Sequence, residues 1–303
     1  MFSTPSGTAK LSLIVVTGLV VLKVVVAVIT GSISILAQAV DSFLDLFAVA
    51  VTFFAVIIAN KPADEEHPFG HGKVENIAAV VQAVLIFVAG GLVIYSAVQR
   101  MVVGAVIEQT EAGIGVMLVS VIASLILSRY MLRVSRATDS IALEANARNI
   151  AADVYSAGAV LAGLVAVRFT GLQILDPIIA LAVALLILKA AYDVLRRSFG
   201  GLIDVRLPDV EERVILESVT QCRGEIVGYH KLRTRKLGSQ RQVDLHLVMP
   251  KDVSLEEAHV VCDRLERDIA GRLHHTSVVI HVEPCNEECE QCPVSCSYRE
   301  EKD

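Results

Sequence analysis

Apolar residues fill most of the first two thirds of the chain, in long runs that few charges interrupt. Six runs are each about 20 residues or longer, the length that a helix needs to cross a bilayer core: 11–29, 33–58, 77–101, 112–132, 150–167 and 172–191. The first run is too long for a signal peptide and lacks a cleavage site of small residues, so it counts as a span. The pattern predicts six transmembrane helices.

The pattern changes after Pro208 to that of an ordinary globular sequence. Two segments have helical periodicity and three alternate as strands: helices at 210–219 and 255–269, and strands at 226–235, 242–249 and 278–282. The segment Leu237-Gly238-Ser239 forms a turn between the first two strands. This α-β-β-α-β order predicts a small ferredoxin-like α+β domain, which would benefit from dimerisation.

We therefore expect a polytopic α-helical membrane protein with a soluble α+β domain after its last span. The predicted boundaries are 1–203 for the six-helix transmembrane domain, 204–284 for the soluble domain and 285–303 for a Cys-rich tail. Composition agrees, since 54% of the 303 residues are hydrophobic, 20% are charged and the mean hydropathy is +0.59. Such a chain is too apolar for one soluble domain.

The charged residues exclude nucleic acid as a partner and predict the orientation of the chain in the membrane. A net charge of −6 leaves no basic surface for nucleic acid. Apart from Arg100 and Arg168, the cations near the spans lie on the side of both termini: Lys10, Lys61, Lys73, Arg129, Arg133, Arg136, Arg148, Arg196 and Arg197. The positive-inside rule then puts both termini and the soluble domain in the cytoplasm. We expect an integral membrane protein of a bacterial inner or plasma membrane.

Two spans carry polar pairs one helical turn apart. The second contains Asp41 and Asp45, and the fifth contains Asn149 and Asp153. Residues four apart share a helix face, so the two helices together could form a cage of four oxygen ligands. Interfacial or purely structural hydrogen bonding is the alternative, but three Asp residues at bilayer depth would cost on the order of 8 to 10 kcal/mol without compensation. The pairs therefore predict an ion or proton site.

The ligand chemistry narrows the choice of ion. Three carboxylates and an amide form a hard, all-oxygen set, which suits Mn²⁺, Mg²⁺ or Ca²⁺ and holds Fe²⁺ acceptably, whereas Zn²⁺ sites usually include His or Cys. Mn²⁺ is the preferred interpretation. Because Asn149 is neutral, any exchange of protons for metal falls to Asp41, Asp45 and Asp153.

Two further groups have metal-ligand chemistry. Asp64, His67 and His71 in the loop after the second span suit a divalent metal, although a solvated, turn-rich connector explains the same residues equally well. The tail has four cysteines that could hold Zn²⁺ or an iron–sulfur cluster: Cys285, Cys289, Cys292 and Cys296. A disordered acidic tail is the alternative. Cys222 and Cys262 lie in helical patterns and are interpreted as buried apolar residues.

Motifs throughout the chain resemble those of the cation diffusion facilitator family. They are the six-span layout, Gly31-Ser32, Asp41-x-x-x-Asp45, His67-Pro-Phe-Gly-His71-Gly-Lys73-x-Glu75, Asp153 and His281-Val-Glu-Pro284. The resemblance implies a homodimeric exporter, not an enzyme, that exchanges a cytosolic divalent metal for protons by alternating access. It also implies a charge interlock between Lys73 and Asp204.

The resemblance assigns roles to the candidate ligands. Asp41, Asp45, Asn149 and Asp153 would form the transport site, and Asp64, His67 and His71 the loop site. A cytosolic site that tightens the dimer when metal rises would use His230, His246, His259, His281 and Glu283. Relatives that transport zinc usually have His where this chain has Asn149, and those that resemble manganese exporters have Asn or Asp. The resemblance thus favours Mn²⁺ and leaves Fe²⁺ and Zn²⁺ as alternatives.

Other functions explain the sequence less well. A membrane-anchored metal sensor without transport would not need four polar residues within the bilayer. An intramembrane aspartyl hydrolase needs a pair of carboxylates that share a proton, and the third carboxylate would then have no role. The sequence has neither a Gly-rich nucleotide-binding loop nor a Ser-His-Asp arrangement, so ATP-driven pumping and serine chemistry are not predicted.

Overall fold

The computed structural model of the chain describes residues 4–30, 33–103, 111–172 and 174–286, together with Val294. It divides into two compact units, Met1–Leu202 and Ile203–Asp303. The first unit contains six long helices: α1 (Pro5–Thr30), α2 (Ile33–Ala59), α3 (Lys73–Val103), α4 (Glu111–Thr138), α5 (Ile141–Thr170) and α6 (Leu175–Leu202). Each has at least 26 residues, which is enough to cross a bilayer.

Five of these helices, α1, α2, α3, α4 and α6, have described stretches that are long and apolar enough for a membrane span. Helix α5 is not among them, and its first half carries Glu144, Arg148 and Asp153. Its 30 residues still suffice for a crossing. The predicted polytopic helical architecture is confirmed.

Small side chains let helices of the first unit approach closely. A Cβ on Gly90 of α3 would lie 2.8 Å from Leu188 Cδ2 of α6. Ala79 and Ala83 of α3 pack with Ala145 of α5 in one buried cluster. A larger cluster joins α2, α3 and α5 through residues that include Val49, Val56, Ala78, Ala142, Ala147 and Ile150. Residues of α1 and α4 belong to the same cluster, so α2, α3 and α5 pack within one core of the first unit.

The second unit has the predicted α-β-β-α-β order. Its elements are α7 (Asp209–Gln221), β1 (Gly228–Leu237), β2 (Gln240–Met249), α8 (Leu255–Arg272) and β3 (Thr276–Pro284). The sheet order is β1-β2-β3, with β1 and β2 antiparallel and β2 and β3 parallel. Gly238 opens the two-residue hairpin turn with φ +60°, a left-handed conformation that favours glycine.

The two faces of β2 have different environments. Val243, Leu245 and Leu247 are buried in a core that they share with residues of α7 and α8. That core includes Cys222 and Cys262, 4% and 5% exposed, so their interpretation as buried apolar residues is confirmed. Successive side chains of a strand point to opposite faces, so His246 lies on the face away from the helices.

Candidate metal sites

The helices that carry the predicted transport residues pack against each other. Val49, one turn after Asp45 in α2, shares a buried cluster with Ile150, which follows Asn149 in α5. Asn149 is buried with 7% exposed, Asp45 is half-buried and Asp153 is exposed. The prediction for the side chain of Asp41 lies outside the described part of the structure. The backbone is helical through both pairs, so each pair keeps its predicted spacing of one turn on a shared helix face.

A lysine within the first span lies close to the α2 acidic motif. Lys23 Nζ in α1 donates a hydrogen bond to Ser42 Oγ at 2.6 Å. Ser42 is 4% exposed and precedes Asp45 by three residues, so the two share a face of α2. Charged residues within spans are rare and mostly functional. The sequence alone could have identified Lys23, because it is the one charged residue within 11–29.

Two buried amides occur near the same helices, and we did not single them out from the sequence. Gln82 of α3 donates through Nε2 to the Ala48 carbonyl oxygen at 2.6 Å and to Thr52 Oγ1 at 2.9 Å, both in α2. Asn146 of α5 is fully buried, like Gln82. Each is a polar residue within a largely apolar helix, which is the feature of the sequence that could have identified it. The interhelical bonds of Gln82 hold α3 against α2 on the loop side of Asp45.

The loop between α2 and α3 folds back so that its three predicted ligands converge. Asp64 Oδ1 lies 3.1 Å from His67 Nδ1, and Asp64 Oδ2 lies 3.3 Å from His71 Nε2. Candidate ligand atoms of the three residues all lie within 4.8 Å of one another. Gly70, with φ +81°, provides a left-handed turn that a side chain would strain. The arrangement could hold a divalent cation through one carboxylate and two imidazoles.

Hydrogen bonding favours the ionised form of the loop carboxylate. The backbone N–H of His67 donates to Asp64 Oδ1 at 2.7 Å and lowers the pKa of that carboxyl below its usual value. A lower pKa favours the carboxylate, which is the form that binds metal. Asp64 and His67 are about half exposed, whereas His71 is mostly buried, so the loop site opens to solvent on one side.

The residues predicted to form the charge interlock belong to different units. Lys73 Nζ donates to the Leu202 carbonyl oxygen at 3.3 Å, where α6 ends. Asp204 Oδ2 lies 3.3 Å from Arg235 Nη1 in β1. The pairing of Lys73 with Asp204 stays a prediction.

Four of the five predicted cytosolic ligands share one face of the sheet. The strand register aligns His230 of β1 with His246 of β2, and His246 with His281 of β3. Glu283 contacts all three imidazoles, at 3.0 Å from His230 Nε2, 2.7 Å from His246 Nδ1 and 3.6 Å from His281 Nε2. Ligand atoms of His230, His246 and Glu283 lie within 4.8 Å of one another. The hydrogen bond with His246 lowers the pKa of Glu283.

The structure does not bring the fifth predicted ligand, His259, to this face within one chain. His259 is in α8, is 74% exposed and lies 3.7 Å from Asp263. It lines a cavity with Ile280 and Val282, whose side chains alternate with those of His281 and Glu283 along β3. His259 is therefore on the helical side of the sheet.

Only the first cysteine of the predicted tail site is in the described part of the chain. Cys285 is buried with 7% exposed, and its backbone N–H donates to the Met249 carbonyl oxygen. Cys289, Cys292 and Cys296 lie outside the described residues. The tail site stays a prediction.

Comparisons with known proteins agree with both units. Residues 9–203 match the cation efflux transmembrane domain, and residues 207–285 match the cytoplasmic domain of cation efflux proteins. The cation-efflux pump FieF of Salmonella typhi is 35% identical over 257 residues, and FieF of Yersinia pestis (strain Pestoides F) is 36% identical over 257 residues, each with 85% of both chains covered.

Solved structures of CzrB, one of them a zinc form, are 38% identical to this chain. They cover 26% and 28% of this chain and 99% and 97% of their own, with TM-scores of 0.26 and 0.27.

The two family matches cover most of the chain, and the matches to the FieF relatives cover 85% of this chain and 85% of each relative. The resemblance inferred from the sequence motifs is confirmed. The chain belongs to the cation diffusion facilitator family and is an integral membrane cation efflux transporter.

Proposed function

We propose that the protein exports a divalent transition-metal cation from the cytosol in exchange for protons, with Mn²⁺ as its preferred cargo. The observation that carries the proposal is the packing of α2 on α5 beside Asp45 and Asn149, within the helical membrane unit. Carboxylates at this depth need a compensating cation or protons. A transporter uses both, because a bound metal and bound protons compete for the same oxygens.

The exchange follows from this competition. Cytosolic metal displaces protons from Asp41, Asp45 and Asp153 when the site faces inward. After the helices rearrange, protons from outside return to the carboxylates and the metal leaves. Asn149 contributes a neutral oxygen throughout, so it influences which metal binds without taking up a proton. Its amide oxygen favours Mn²⁺, with Fe²⁺ and Zn²⁺ as the alternative cargoes.

We also propose that the protein is a homodimer whose soluble domain senses metal. The histidine row and Glu283 lie on a sheet face that the helices of the same chain do not cover. Val279, on the same face of β3, is 60% exposed. A second subunit on this face would bury apolar area, and metal held by His230, His246 and Glu283 would strengthen the contact.

Transport in proteoliposomes tests the proposal. Wild type, Asp153→Ala and Asn149→His are challenged separately with Mn²⁺, Fe²⁺ and Zn²⁺ while internal pH and metal are recorded. We expect wild type to couple Mn²⁺ movement to opposite proton flux, Asp153→Ala to lose both, and Asn149→His to gain Zn²⁺ movement. Asp193→Ala is the matched control, because it removes an exposed carboxylate of α6, a helix that carries none of the predicted transport residues.

Each part of the proposal can fail separately. Full metal-driven proton flux in Asp153→Ala would contradict the transport site. Metal movement without proton flux in wild type would contradict antiport. A wild type that prefers Zn²⁺ would leave efflux intact and show that the inference of Mn²⁺ from an oxygen cage is wrong.

A further inference from the structure

Two fully buried amides carry polar atoms that have no hydrogen-bond partner in the described part of the chain. They are Asn146 of α5, through both Oδ1 and Nδ2, and Gln82 of α3, through Oε1. Buried polar groups are nearly always paired with protein, water or an ion. Unpaired amide atoms on neighbouring helices therefore indicate a partner that is not among the described residues, such as water or an ion.

The direction of the Gln82 side chain follows from its bonds. Its amide end contacts the Ala48 carbonyl oxygen at 2.6 Å. A carbonyl oxygen only accepts hydrogen bonds, so the end of Gln82 that contacts it must be the NH₂ group. The same NH₂ group also donates to Thr52. The unpaired atom of Gln82 is thus an oxygen, held at a fixed position by two bonds to α2.

The two amides come from helix stretches that pack together. Gln82 lies between Ala79 and Ala83, and both alanines pack with Ala145 of α5. Asn146 is the next residue after Ala145. The alanines keep the helices close, and each amide lies next to one of these packed alanines along its own helix.

This level lies between the loop and the transport residues. Along α5, Asn146 precedes Asn149 by three residues, about 4.5 Å, and Asp153 by seven residues, about 10 Å and about 20° around the helix. Thr52, bonded to Gln82, follows Asp45 by seven residues of α2 and is displaced in the same direction, toward the loop at 60–72. A cation that moves from the loop side to the transport residues would pass the two amides.

We propose that Asn146 and Gln82 form a second cation site on this path, which holds a partly hydrated divalent cation before it reaches the transport residues. The inference rests on the proposed transport function. Amide oxygens are hard ligands that suit such cations. Because neither amide has a net charge, binding is weak, and the cation moves on to the carboxylates. Ordered water alone is the alternative occupant.

Two substitutions of Asn146 test the site in the full-length protein. Asn146→Leu keeps the approximate shape but removes both polar atoms, and we expect the initial rate of Mn²⁺ uptake into proteoliposomes to fall by about tenfold. The equilibrium affinity for Mn²⁺, measured by titration calorimetry in detergent, stays as in wild type, because the transport ligands are intact. Asn146→Asp adds a charge, and we expect one additional bound Mn²⁺ per subunit in the same titration.

Ser120→Ala is the matched control. Ser120 in α4 is 9% exposed, and its Oγ also has no partner among the described residues, but α4 carries neither of the two amides. Removing it is expected to change neither rate nor affinity. Slower Mn²⁺ uptake by Asn146→Leu, together with a wild-type rate in Ser120→Ala, supports the site.

Three results would overturn the inference. The first is a wild-type rate of Mn²⁺ uptake in Asn146→Leu. The second is a loss of about tenfold in Mn²⁺ affinity in Asn146→Leu, which would show that Asn146 supports the transport ligands. The third is an unchanged number of bound Mn²⁺ ions in Asn146→Asp, which would indicate that only water occupies the site. The failure of the proposed function is distinguishable, because wild type itself would then transport no cation.

Discussion

The Glu75 carboxylate near the start of α3 accepts a hydrogen bond from the Ser140 hydroxyl just before α5, with 2.7 Å between the oxygens. Glu75 is 3% exposed, and the same oxygen accepts from the Ala142 backbone N–H at 3.4 Å. A carboxylate at the amino end of a helix interacts favourably with the helix dipole. Glu75 follows His71 by four residues, so it connects the histidine loop to the helix of Asn149 and Asp153.

Replacing Ser140 tests this connection. Ser140→Ala leaves the buried carboxylate without its hydroxyl donor, and hydrogen bonds to charged groups contribute about 1.5 to 3 kcal/mol. We expect a lower thermal unfolding temperature in detergent. Ser128→Ala is the control, because Ser128 is equally buried but its hydroxyl donates to Leu125 within its own helix. Equal shifts in the two variants would contradict a special role for the Glu75 contact.

The loop geometry leads to a prediction about metal stoichiometry. His67→Ala removes one of the two imidazoles that lie beside Asp64, so we expect the number of Zn²⁺ ions bound per subunit in equilibrium dialysis to fall by about one. Glu66→Gln serves as the control, since Glu66 is exposed and outside the group of three ligands. An unchanged number of bound ions in His67→Ala would show that the turn-rich loop is only a connector.

The sheet geometry leads to a separate prediction for the soluble domain. Glu283→Gln replaces the carboxylate that contacts His230, His246 and His281, so we expect about tenfold more Zn²⁺ to be needed to bring labelled subunits together, measured by energy transfer between them. His274→Ala is the control, because His274 is exposed and outside the row. Association that is independent of Zn²⁺ in wild type would contradict the sensing role.

Features that depend on local pattern could be predicted from the sequence. The long apolar runs predicted the helices, and the turn at Gly238 predicted the β1–β2 hairpin, because periodicity and turn chemistry act over a few residues. The convergence of Asp64, His67 and His71 also depends on local structure, because the three residues are close in sequence and the turn at Gly70 lies between His67 and His71.

Features that depend on contacts between distant residues were harder to predict. The alignment of His230, His246 and His281 follows from strand register, which no single strand specifies. His259 has the same residue type, yet the packing of α8 puts it on the other side of the sheet. The contacts of Gln82 and Lys23 do not follow from local pattern, because their partners Thr52 and Ser42 are in another helix.

The contact between Lys23 and Ser42 predicts an electrostatic effect on cation binding. The ammonium group lies 2.6 Å from a hydroxyl that is one turn from Asp45, so its positive charge opposes a divalent cation bound there. Lys23→Met should therefore lower the Mn²⁺ concentration that gives half-maximal proton flux in proteoliposomes, by about tenfold. Lys23→Arg keeps the charge and is expected to keep the wild-type concentration. If the Met variant has the same concentration dependence as wild type, the charge of Lys23 does not act on the cation, and its bond to Ser42 serves only to hold α1 against α2.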